Sequence, residues 1–229
     1  MSVNRIDETR KQFLHNSDLY RQARPIISNL LSNILHPREK QGPFPTPHEL
    51  FQMNCVDIYE KWKEIVELSN ILGDMKRDVK YSTEKHKSIG KMLWFMGLVE
   101  SLGNALADMV LILFIANGKA VHTRLPYVKH VNSFSELTQL DLDFKLNFLK
   151  EEKVRVISKI LNLDLRNAVA DLKFSVDENG VIKDRENNVI QIDQHIADFW
   201  VGVDTLMILF EDLDFPRWLE TTSYVKMVS

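Results

Sequence analysis

The sequence predicts a mainly α fold assembled as a helical bundle, and three observations carry that expectation. Apolar residues recur at spacings of three and four through most of the chain, the period of a helix with one buried face. Gly and Pro are scarce, 8 and 7 among 229 residues, which disfavours a β-sandwich, a barrel or a low-complexity chain. Helix start and stop signals punctuate the periodic stretches at intervals that suit packed helices.

Taken in order, Arg5 to Tyr20 and Pro25 to Leu35 read as two helices, the second opening on a proline whose missing N–H costs little there. Its apolar residues Ile26, Ile27, Leu30, Leu31, Ile34 and Leu35 keep helical spacing. The segment 36–47 holds four prolines and a glycine, so it is expected as an extended connector. Thr46, Pro47 and Glu49 then form a capping box, starting a helix that should run to about Leu72, with Gly73 at its end. Ser82 or Thr83 starts the longest helix, which stops at Asn117-Gly118. Gly90, Gly97 and Gly103 inside it mark close helix contact or a kink.

Ala120 to Asn132 reads as a loop containing Pro126. Ser133 to Glu136 is a second capping box, opening helical structure through Lys150. Val154, Ile157, Ile160, Leu161 and Leu165 continue an apolar face, which Asn162-Leu-Asp164 can interrupt. Phe174–Asp177 and Val181–Lys183 alternate as strands around Glu178-Asn-Gly180, a strong hairpin signal, and Val189–Ile192 can add a third. Asp193 is expected to cap a last helix carrying Ile196, Phe199, Trp200, Val203, Leu206, Met207 and Phe210. Phe215-Pro216 should end it and leave a poorly ordered tail, 216–229.

Composition narrows function. A net charge of −3 provides no global field for nucleic acid, so any RNA contact must be a local site. The single cysteine, Cys55, excludes an intramolecular disulfide framework and fits a reducing, cytoplasmic setting. The first residues lack the apolar core of a signal peptide. Leu102–Ala116 is short of the roughly twenty residues that span a bilayer, so a buried helix and no membrane partner are expected. No Gly-rich phosphate loop, His-x-x-x-His pair, CxxC or Gly-x-Ser-x-Gly motif is present, and the seven histidines lack ligand spacing. No metal and no cofactor are expected.

The most informative six residues are Arg166-Asn-Ala-Val-Ala-Asp171, followed by the hairpin Leu172–Lys183 and a new helix. A helix ending in Arg-polar-x-x-x-His before an acidic Asp-x-x-Gly hairpin is the signature that this stretch resembles, with Asp171 at the histidine position. It is similar to the HEPN superfamily, and more closely to its abortive-infection-like branch. The resemblance implies an HEPN-type bundle over 82–215 with hairpin 172–192, and extra helices from 1–81 packed on it.

It also implies a chemistry. In HEPN ribonucleases the motif arginine and histidine share a cleft near a dimer axis. The histidine moves the proton of the ribose 2′-hydroxyl, and the arginine steadies the charged phosphate. An imidazole suits the first role because it titrates near neutrality, and a guanidinium fork suits the second. Arg166 takes the phosphate role here, and Asn167 would orient the pair.

Asp171 has an ordinary pKa of about 3.9 and would be an anion that repels phosphate. Two readings stand. Burial raises its pKa and makes it a base, or it pairs with Arg166 or Lys173 and stabilises the helix end. His195, His122 and His130 are candidate substitutes for the missing imidazole. Glu100, Asn104 and Asp108 lie at i, i+4 and i+8 and form one polar stripe. That stripe is either an exposed face or, as the resemblance implies, a source of an acid for Arg166. The basic cluster Lys76–Lys80 with Lys85-His-Lys87 can touch phosphate or simply be solvated. Leu93, Trp94, Phe95 and Met96 suit core or a dimer surface.

The expected protein is therefore an HEPN-like member of a prokaryotic defence or toxin–antitoxin type, RNase-derived, with or without nuclease activity. If active, it is a metal-independent endoribonuclease. A homodimer, RNA and an antitoxin-type protein are the partners expected. The competing class is a non-catalytic helical scaffold for dimerisation or binding.

Overall fold

The computed structural model describes residues 6–35, 46–78, 83–119, 131 and 134–228. It is mainly helical with one two-stranded antiparallel sheet. The helices in chain order are α1 (Glu8–His15), α2 (Asp18–Leu35), α3 (Pro47–Met53), α4 (Cys55–Asp78), α5 (Glu84–Leu98), α6 (Asn104–Ala116), α7 (Phe134–Thr138), α8 (Leu142–Glu151), α9 (Arg155–Ile160), α10 (Leu163–Ala170), α11 (Ile192–Asp212) and α12 (Phe215–Val228). A π-turn, Val99–Gly103, joins α5 to α6 without a break. Strands β1 (Phe174–Val176) and β2 (Ile182–Asp184) form the hairpin.

The first helices divide differently from the periodicity. α1 ends at His15, the Ser17 hydroxyl accepts from Tyr20 N–H at 3.2 Å, and α2 opens at Asp18. Pro25 therefore lies inside α2 instead of starting it. An interior proline costs about 3 kcal/mol, offset here by the buried face of Leu19, Tyr20, Ala23, Ile27, Leu30, Leu31 and Ile34.

Of the expected Pro-rich connector, 36–45 lie outside the described residues. The Thr46 capping box is present in full, with Thr46 N–H donating to Glu49 at 2.8 Å. The helix it opens stops at Asn54, whose side chain donates to Leu50 O, and α4 resumes at Cys55. Gly73 does not end α4. It is buried within the helix, which runs on to Asp78.

Thr83 caps α5, and Asn117-Gly118 ends α6 as expected. Gly118 adopts φ +74°, so Lys119 N–H reaches Phe114 O and Gly118 N–H reaches Ile115 O, the paired bonds of a Schellman end. Of the expected loop 120–132, only Val131 falls among the described residues, and it is buried. Lys80, Ser82, His122, His130 and Ser133 lie outside them. Helix continuing through Lys150 is instead two pieces, α7 and α8, separated at 139–141.

α9 stops at Ile160 and α10 starts at Leu163 because Asn162 turns the chain and caps, its side chain accepting from Leu165 N–H at 3.1 Å. The hairpin pairs Phe174 with Asp184 and Val176 with Ile182. The expected third strand is a single bridge, Lys183 to Val189. α11 begins at Ile192 with no side-chain cap, and Asp193 instead bonds Lys91 at 2.6 Å.

The poorly ordered tail is not observed up to Val228: Phe215–Val228 form α12, packed on α4. Asp214, at φ +53°, separates α11 from α12, and fully buried Phe215 and Leu219 follow it. Phe215 meets Phe51, Trp62 and Phe210 ring to ring, burial that makes the terminal helix worth forming. One apolar core runs from Leu14 to Leu219. Its centre is α6 and α11, where residues 105–114 and 202–210 are buried without interruption. The continuous helix Glu84–Ala116 is long and apolar enough to cross a membrane, and 78% of its most apolar stretch lies inside this core.

Candidate functional site

α10 buries Leu165 and Val169 and leaves Arg166 and Asn167 half-buried beside α5. The Arg166 Nε donates to Glu100 Oε1, and its Nη1 donates to Asn167 Oδ1 at 2.7 Å. Solvent reaches 25% of the Arg166 side chain and 40% of Glu100. The bond to Glu100 raises the arginine's pKa above its ordinary value against the opposing effect of burial, and Asp143 and Asp171 add weaker attraction. The guanidinium is thus a fixed cation, two of its three nitrogens already held by its own chain.

Glu100 reaches Arg166 because of the π-turn. In an uninterrupted α-helix Glu100, Asn104 and Asp108 would share one face. A π-turn inserts one residue, and at 3.6 residues per turn that rotates the succeeding helix by about 100°. The stripe is therefore split. Glu100 faces α10, while Asn104 and Asp108 face α8, where Lys145 Nζ lies 2.9 Å from Asn104 Oδ1 and 2.7 Å from Asp108 Oδ1. Asp108, one candidate partner of Arg166, belongs instead to this second cluster. Its carboxyl is pushed above its ordinary pKa by burial, with Lys145 pulling the other way.

Gly103, the last residue of the turn, lets the end of α9 come close. A Cβ there would stand 2.3 Å from Leu161 Cδ2, so the π-turn and the end of α9 touch across a bare glycine. Gly202 of α11 approaches Ile160 in the same way. These two contacts set the depth of α9, and hence the place from which α10 departs.

Asp171 is the C-cap of α10 and is exposed. It pairs with Lys173, whose hydrogen bond and charge lower the aspartate pKa, with smaller help from Arg185 and Arg166. The reading in which burial makes Asp171 a base does not hold. Of the other reading, the pairing is present, with Lys173 as the partner. Backbone bonds close the same helix end: Lys173 N–H bonds Ala168 O at 2.7 Å and Leu172 N–H bonds Val169 O at 3.1 Å. This is a Schellman end with Leu172, at φ +51°, where glycine is usual.

His195 sits in the first turns of α11, half-buried. Its Nδ1 lies 3.3 Å from Asn162 Nδ2, and its ring lies 6.4 Å from that of Phe95. It thus touches the cap of the motif helix. Lys145, Asn162 and Asp143 are absent from the sequence-derived set. Lys145 carries a signal: it occupies a core position with Leu142, Leu146 and Leu149 in α8, where an apolar residue is the rule. Among the described residues, no group of three or more His, Cys, Asp or Glu could hold a metal ion. Comparison with protein-family models, curated proteins and solved structures gave no match.

Proposed function

We propose that this chain is an HEPN-like protein of a prokaryotic defence or toxin–antitoxin type. On this reading it descends from metal-independent ribonucleases and does not itself cut RNA. The observation that carries the second half is the state of Asp171. The signature requires a group there that exchanges a proton near neutral pH. The carboxyl is exposed, paired with Lys173 and held below its ordinary pKa, so it stays an anion beside the place a phosphate would occupy. The arginine that would steady that phosphate is bonded to Glu100 and Asn167. Its work is to brace α10 against the π-turn, and the motif helix serves as a binding or dimerisation element, with RNA, a second copy or an antitoxin-type protein as partner.

The test is an RNA-cleavage assay with purified wild type and Arg166→Ala on structured and single-stranded RNA in the presence of chelator. The expected result is no cleavage by either protein. Cleavage by wild type that Arg166→Ala abolishes would overturn the proposal.

A further inference from the structure

We propose that Lys145 sets the rotational register of the long central helix, and through it holds Glu100 against Arg166. In α6, buried residues run without a gap from 105 to 114, so the helix is enclosed on every side and burial alone marks no single face. A polar contact adds a preferred rotation. Only Asn104, the first residue after the π-turn, and Asp108, one turn later, bring polar side chains into this stretch, and both meet the same ammonium.

The Lys145 side chain is 0% exposed and Asp108 is 4% exposed, and an unpaired charge at such depth costs several kcal/mol. A buried pair of this kind adds little net stability, because desolvation cancels most of the attraction. Its best-attested use is to fix register. Here the register matters to a second site. Asn104 and Asp108 must face α8 while Glu100, one turn earlier, faces α10. The two demands are compatible only with the extra residue of the π-turn between them. Relaxing Val99–Gly103 to plain α-helix would turn Glu100 by about 100° relative to α6 and away from the guanidinium. Lys145 is thus a positioning residue for Arg166, acting through helix phase.

The experiment reads the Arg166 Nε–Hε resonance of the full chain by nitrogen-edited NMR, assigned by its loss in Arg166→Lys. Glu100→Gln gives the reference position for a broken pair. The main variant is Asp108→Leu with Lys145→Met, an apolar replacement of the kind that buried pairs tolerate well. Lys145→Met alone is the second. Leu149→Ala, in the same helix and outside the cluster, controls for general loss of packing.

The expected result is that the double variant, folded by circular dichroism, moves the Arg166 signal more than half-way to the Glu100→Gln position, while Leu149→Ala leaves it in place. A folded double variant with the wild-type signal overturns the proposal, as does an equal movement in Leu149→Ala. Should both Lys145 variants fail to fold, Asn104→Ala decides: a shifted Arg166 signal supports the proposal and an unshifted one overturns it.

Discussion

Gly202→Ala should destabilise the protein although it places a better helix former in mid-helix. An added Cβ would stand 2.2 Å from Ile160 Cγ1 and 3.0 Å from Cδ1. Ordinary contact begins at 3.4 Å, so the neighbour must retreat by about 1.2 Å. Cγ1 is bonded directly to the Ile160 Cβ, and a rotamer change alone is a poor escape where α9 presses on α11 in a close-packed core. Overpacking of this kind costs about 1–3 kcal/mol, and the upper end applies. The gain in helix propensity returns about 1 kcal/mol. The net loss is about 2 kcal/mol, which for a chain of this length lowers Tm by about 4–8 °C.

Thermal and urea unfolding followed by circular dichroism measure it. The same contact fixes a double-variant result. Ile160→Ala alone should cost about 2–5 kcal/mol. Combined with Gly202→Ala, the total should fall short of the sum by at least about 1 kcal/mol, because the new methyl fills the space vacated by Cγ1. A neutral Gly202→Ala, or strictly additive costs, would refute the idea that this packing places α9 and α10.

Two further outcomes rest on single groups. Leu172 holds φ +51° and is 74% exposed, so Leu172→Gly should relieve the left-handed conformation, lose little burial and raise stability by about 1 kcal/mol. Lower stability in urea would contradict that. Tyr20 donates to Asp212 at 2.5 Å, and burial followed by that bond pushes its hydroxyl from 10.0 to about 12. The folded state then keeps a proton that the unfolded state loses. The contribution is fully present below pH 10 and lost as pH rises toward about 12. Stability–pH curves of wild type and Tyr20→Phe should converge across that window, and parallel curves would refute the assignment.

How much of this is legible in the sequence depends on whether the cause is local. The Thr46 capping box, the Thr83 cap, the Asn117-Gly118 stop and the Asn179-Gly180 hairpin are written in adjacent residues, and the structure has each of them. The proximity of Glu100 to Arg166 is anticipated by the resemblance. The π-turn is not: Gly103 marks a close contact or a kink, but nothing in Val99–Gly103 specifies an inserted residue. It packs against Leu161 and leads into Asn104, which meets Lys145, and both partners lie far along the chain. The same remoteness merges Asp108 with Glu100 into one stripe when only the sequence is read. α12 is hidden because Pro216 looks like a stop, whereas the buried Phe215 and Leu219 make it a beginning. Lys145, a charge on an apolar helix face, is readable from its spacing alone.

With Arg166 keeping its charge although two of its three nitrogens are held by Glu100 and Asn167, the site at Arg166–Asp171 lacks, on the proposed reading, its proton-transferring group. Asp171→His restores it, at an exposed helix end where the change disturbs no buried contact. The measurement is RNA cleavage under chelating conditions by Asp171→His and by Asp171→His with Arg166→Ala. The predicted result is cleavage by the single variant, none by wild type, and loss of the gained activity when Arg166 is removed. Absence of cleavage in a folded Asp171→His protein, or gained cleavage that survives removal of Arg166, would contradict it.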